Sequence, residues 1–157
     1  MRLIPDVVVL HSLTNDIKSL DPDTFVGELT KTVDIISNKW CGSKIILSTC
    51  TPRFDSIQNQ TNAQLVNALV KQKFSAGYAN LSLCEHNNMS NNGNPAPDIL
   101  TSDNYHLSSK GISVLASNIQ VALHSALGIQ VPAPRGRSPS RNRRGGGRGG
   151  RGQGRFR

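Results

Sequence analysis

Aromatic side chains make up 4% of this 157-residue chain, and cysteine contributes three residues. Cys41, Cys50 and Cys84 are odd in number and form no C-x-x-C pair. They indicate neither a disulfide framework nor a zinc site, and they read as reduced thiols. No metal or other cofactor is called for by any motif. No apolar run approaches the ~20 residues that a membrane-crossing helix needs. Met1–Asp6 has neither the apolar stretch nor the small-residue cleavage site of a secretion signal. The expectation is an intracellular protein, cytoplasmic or nuclear, with no membrane partner.

Acidic residues are missing from one end altogether. Residues 1–134 hold nine Lys and Arg against all ten Asp and Glu, a net of −1. Residues 135–157 hold nine Arg, no acid and eight of the fourteen Gly, a net of +9. The formal charge of +8 therefore belongs to a tail. The sequence divides into a unit over 1–130, long enough for one modest core and too short for two domains, and an Arg/Gly-rich tail over 131–157. The tail cannot bury a core, and its composition predicts disorder.

Within 1–130 the hydrophobic pattern alternates between strand-like runs and helical stripes. Val7-Val8-Val9-Leu10 is a continuous, mostly β-branched run, as in a strand buried on both faces. Asp21-Pro22-Asp23-Thr24 opens a helix, because proline and acids suit the free N–H groups of a first turn. Phe25, Leu29, Val33, Ile36 and Trp40 follow at steps of three or four. Lys44–Ser48 gives a second strand, and residues 60–74 a second helix with Leu65, Val66, Leu69, Val70 and Phe74 on its apolar side. Residues 79–84 give a third strand. Residues 85–104, rich in Asn, Pro and Gly, read as a long loop. Ser108 then caps a last helix, which places Ile112, Leu115, Ala116, Ile119, Leu123, Ala126 and Leu127 on one face and ends at Gly128. The order β-α-β-α-β-loop-α predicts a three-layer α/β/α sandwich on a parallel sheet with right-handed crossovers. Sites in such sheets collect beyond the C-terminal strand ends.

That rim holds Thr14-Asn15-Asp16, Thr51-Pro52-Arg53 and the long loop. Asp103 and His106 stand three residues apart ahead of a helix, so the carboxylate can fix the imidazole's tautomer. The Asn15 amide can donate to a developing oxyanion. Taken singly, each motif is ordinary turn or capping chemistry.

Their order and spacing carry more. Pro5–Ile17 resembles the third conserved block of the SGNH (GDSL-type) hydrolase family, Gly-x-Asn-Asp at a strand end. Ser102-Asp103-Asn104-Tyr105-His106-Leu107, followed by Gly111, resembles the fifth block, Asp-x-x-His before the C-terminal helix. The element order and Thr51-Pro52 are similar to that family too, and the likeness spans about residues 3–129. It implies hydrolysis of acyl or acetyl esters by Ser-His-Asp chemistry, with Asn15 as oxyanion-hole amide, His106 as general base and Asp103 as its orienting acid. Asp16 would organise the loop. The chain departs from the family in containing no Gly-Asp-Ser, the block that carries the nucleophile, and no second-block Gly. It begins where the third block's strand begins. Leu13 replaces the third block's Gly and is expected to crowd a point where backbone passes the substrate. Ser12, Ser102 and Ser108 are not expected to replace the nucleophile. In the family the nucleophile strand lies beside the strand matching Val7–Leu10. The resemblance therefore implies an N-terminally incomplete unit, inactive alone, whose apolar Val7–Leu10 edge needs a cover such as a partner chain.

The tail runs from a short Ser/Arg stretch into an RGG-type repeat. It resembles RNA-binding segments, and Arg143, Arg144, Arg148, Arg151 and Arg155 are its candidate contacts to RNA or another polyanion. With Phe156 as the one stacking ring of the tail, binding would be mainly electrostatic. Two readings stand: an ester hydrolase lacking its nucleophile, or a non-catalytic α/β protein that binds RNA through its tail. The combination also resembles products of some retroelement open reading frames.

Overall fold

The computed structural model describes residues 3–18, 21–91 and 93–130. The tail and its five candidate arginines lie outside the described residues.

Three strands, β1 (Val7–Leu10), β2 (Lys44–Ser48) and β3 (Leu81–Cys84), form a sheet in the order β1-β2-β3. Both pairings are parallel, with Val8 opposite Ile45 and Ile46 opposite Ser82. A parallel neighbour demands a long crossover. The chain supplies α2 (Pro22–Lys39) after a single turn, α1 (Leu13–Asp16), and then α3 (Ile57–Phe74). The two long helices pack on each other and bury Phe25, Leu29, Val33, Val66, Val70 and Phe74 against Ile45 and Leu47. Because strand side chains alternate, Ile46 and Ser48 take the other face, where α4 (Ser109–Leu127) crosses all three strands. The result is the expected three-layer α/β/α sandwich.

The helix starts follow their caps. The Asp21 carboxylate accepts from Thr24 N at 3.0 Å and the Ser108 hydroxyl from Gly111 N at 3.1 Å. Gly128 closes α4 at φ +67°, a left-handed turn that a side chain would resist. Helix α3 begins at Ile57, earlier than its apolar stripe, because Ser56 caps it by accepting from Asn59 N. Its first turn is solvated, and Leu65, expected on the inner face, is exposed.

Two further expectations shift. The segment 85–104 is structured. A 3-10 turn (Asn87–Met89) leads into two short antiparallel strands, β4 (Ser90–Asn91) and β5 (Asn94–Pro95), and buried Met89 and Ile99 pin the segment to the domain. Strand β1 is half-buried along its length rather than buried on both faces. Among the described residues nothing pairs with its outer edge. Helix α4 likewise leaves Ile112, Val121 and Leu127 exposed. Cys50 and Cys84 are buried free thiols, and Cys41 is an exposed one. No helix among the described residues is long and apolar enough to cross a membrane.

Candidate active site

The C-terminal strand ends bring three segments onto one rim. After β1, the single turn α1 drives Leu13 and Ile17 into the core, at 2% and 1% exposure. Leu13 therefore does not crowd the rim as expected. Its side chain turns inward and leaves Thr14 and Asn15 facing the pocket.

Side chains stitch this turn to the segment after β2. Thr14 Oγ1 accepts from Thr51 N at 3.0 Å and lies 2.9 Å from Thr51 Oγ1. Arg53, 1% exposed, donates from Nη1 to the Thr14 carbonyl at 3.0 Å. It also forks onto Asp55, with Nε to Oδ1 at 3.0 Å and Nη2 to Oδ2 at 2.7 Å. A fork of this kind is the strong form of the ion pair. The Arg53 bond, aided by Asn59, holds the Asp55 carboxyl down to about 2. The guanidinium lies 4.0 Å from the centre of the Tyr105 ring, which joins the third segment to the other two.

In that third segment Asn104 takes a left-handed conformation, φ +56°, which short polar side chains tolerate. The chain thereby folds back on Asp103. Asp103 Oδ1 accepts from Tyr105 N, His106 N and the Thr101 hydroxyl at 2.9, 3.0 and 2.7 Å. Its Oδ2 lies 2.6 Å from His106 Nδ1. The His106 ring first, then Thr101 and the two backbone donors, hold this carboxyl far below the usual range. An ionised Asp103 fixes the proton on His106 Nδ1, so Nε2 is the basic nitrogen. His106 Nε2 has no hydrogen-bond partner among the described residues, and the ring lines the pocket.

Asn15 completes the arrangement. Its Oδ1 accepts from the Tyr105 hydroxyl at 2.7 Å. That commits the carbonyl end of the amide and leaves the Nδ2 protons as donors. Asn15, Tyr105 and His106, with His11, Ser12, Thr14, Thr51 and Leu107, line an open pocket of about 490 Å³. Asp103 supports His106 from behind.

Of the three residues singled out from sequence, Asn15 and His106 thus line one pocket, and Asp103 reaches it through His106. Asp16 does not join them; it lines a separate recess against α2 with Phe25 and Glu28. Ser12 is on the pocket wall, yet no hydrogen bond joins it to His106 among the described residues. Ser108 is occupied, capping α4 and donating to the Asp98 carbonyl. Sequence reasoning missed Tyr105, Arg53 and His11. Tyr105 was visible inside the Asp-x-x-His stretch and Arg53 on the rim, whereas nothing in the sequence marked His11. Among the described residues no cluster of three or more His, Cys, Asp or Glu could hold a metal ion.

No protein-family model matches the chain. No curated protein matches it either. Its fold is similar to a solved structure from Streptococcus pneumonia provisionally described as a platelet activating factor, with a TM-score of 0.64 and 20% sequence identity. The match covers 75% of this chain and 59% of that one, so the chain spans about 59% of the length of that structure. At such identity the likeness is one of fold.

Proposed function

We propose that this pocket is an SGNH-type ester hydrolase site for a small acyl or acetyl ester, in which no serine is hydrogen-bonded to His106 among the described residues. The observation that carries the reading is the convergence of an Asp103-oriented His106 base and a Tyr105-pinned Asn15 donor on one open pocket. A carbonyl carbon between them would meet a base on one side, and its oxygen an amide donor on the other. The fold likeness is compatible with this. In this reading the serine and the cover of the β1 edge come together. A strand or partner chain paired with Val7–Leu10 would deliver its hydroxyl to the rim beside His106 Nε2.

The test is hydrolysis of an aryl acetate by the 157-residue chain and by His106→Ala. With no serine hydrogen-bonded to it, His106 can still activate water as a general base, so the expected outcome is a slow rate that falls at least about tenfold in the variant. Equal rates would sink the catalytic reading for this chain.

The second reading, a non-catalytic RNA-binding protein, rests on the nine Arg and absence of acids in residues 135–157. It expects RNA affinity that falls steeply with salt and is lost when residues 135–157 are removed. Unchanged binding after truncation removes the tail's assigned role.

A further inference from the structure

His11 stands at the end of a hydrogen-bonded chain that no acid–base role so far described requires. Ser48 Oγ, with no exposure, lies 2.7 Å from His11 Nδ1 and 2.7 Å from His86 Nε2. His86 is 4% exposed, and its Nδ1 lies 3.1 Å from Asn118 Nδ2 on α4. Asn118 and Asn88 form a reciprocal amide pair, Nδ2 of each donating to Oδ1 of the other at 2.8 and 3.0 Å. The chain thus runs from the pocket wall, past the end of β2, to the helix on the opposite face of the sheet.

Donors and acceptors along it can be counted. The Asn118 amide donates to His86 Nδ1, so that nitrogen is bare and His86 Nε2 carries the proton. His86 Nε2 then donates to Ser48 Oγ, and the single Ser48 proton goes to His11 Nδ1. His11 Nδ1 is bare in turn, and its proton sits on Nε2, the nitrogen left for the pocket that His11 lines. Burial favours the neutral form of both rings.

We propose that His11 is a second substrate-contacting group of the pocket, a neutral imidazole presenting an Nε2–H donor to an acyl or carboxylate oxygen, and that Ser48, His86 and Asn118 are positioning residues that fix its tautomer. The substrate class rests on the ester hydrolase reading; the tautomer does not. Asn15 and His11 would then act as two donors on one oxygen, while His106 remains the base.

The chain has four histidines, so side-chain nitrogen shifts of the labelled full-length protein report every tautomer. The expected spectrum has His11 and His86 each in a single Nε2–H form. Ser48→Ala should turn His11 into a mixture of tautomers. Asn118→Ala, on the half-exposed helix and safer for folding, should shift His86 and, two bonds further on, His11. A His11 in the Nδ1–H form, the result if both amides were turned over, overturns the proposal. So does a His11 that ignores both substitutions. Acetate is the probe for contact: it should move His11 and His106 together. Movement of His106 alone, or of neither, overturns the contact role. A His106-dependent hydrolysis beside an Nδ1–H His11 defeats this inference and leaves the ester reading standing. The assigned tautomer in a protein without that hydrolysis does the reverse.

Discussion

Single atoms decide whether the site's third segment can sit where it does. Helix α4 opens against the backbone of Ile99, and a Cβ on Gly111 would stand 2.2 Å from the Ile99 carbonyl oxygen. No side-chain rotation relieves a clash with backbone, so the helix start, and His106 three residues before it, would have to move. Gly111→Ala is expected to cost roughly 3 kcal/mol, as over-packing does. Gly27 is the contrast: it lies within α2 with nothing inside 4 Å of its would-be Cβ. Gly27→Ala should stabilise by about 1 kcal/mol through helix propensity. Urea unfolding of both variants, read as opposite shifts in midpoint at unchanged slope, checks the pair. A midpoint for Gly111→Ala equal to that of the parent would mean that the approach of α4 to Ile99 is looser than described.

Among the elements, the clamp is Arg53. It ties the α1 turn, the segment after β2 and the Tyr105 ring, three pieces of chain with no shared hydrogen-bond ladder. Arg53→Met removes the fork and leaves Asp55 ionised beside an apolar side chain. With Asp55 still 20% exposed, the expected cost is about 2–3 kcal/mol, below that of breaking a fully buried pair. The cost should come with a loss of His106 and Tyr105 order in spectra of the folded state. At this scale the sequence was largely readable. The β-branched run, the Asp21-Pro22 and Ser108 starts and the 3.6-residue stripes define strands and helices almost by themselves, and they place Asn15, Asp103 and His106 on one rim; singling those three out took the resemblance of their motifs to a known family. The clamp was not readable, because a buried arginine is marked by its partners, and Thr14 and Tyr105 are distant in sequence. Residues 85–104 were also opaque. Their polar composition hides the two apolar anchors, Met89 and Ile99, that make a structured segment of them.

For the molecule as a whole, the buried ring of His86 couples the fold to pH. Burial, with the neighbouring His11, holds it down to about 4. An unfolded histidine titrates near 6.5, so between those values the unfolded chain binds more protons than the folded one. Stability therefore falls as the pH drops from about 6.5 to about 4, by up to about 3 kcal/mol, and this contribution levels off below. Asp55 acts in a lower window. Its depressed carboxyl lends stability above about 3.9 that is lost as the pH falls towards 2. Denaturant midpoints measured against pH should show the upper step in the parent and a much smaller one in His86→Gln, where His11 alone remains, with the lower step retained. A single step below pH 4 in both proteins would contradict the assignment.

The open side of β1 bears on how solutions of this protein behave. Among the described residues, four apolar residues there expose half a hydrogen-bond ladder, the geometry from which strands of separate molecules zip together. A domain of net −1 offers little repulsion against such contacts, so colloidal stability falls to the nine positive charges near the C-terminus. Any polyanion that neutralises those charges also removes the repulsion. Turbidity should therefore be greatest where RNA and protein charges balance, and should fall again when RNA is in excess.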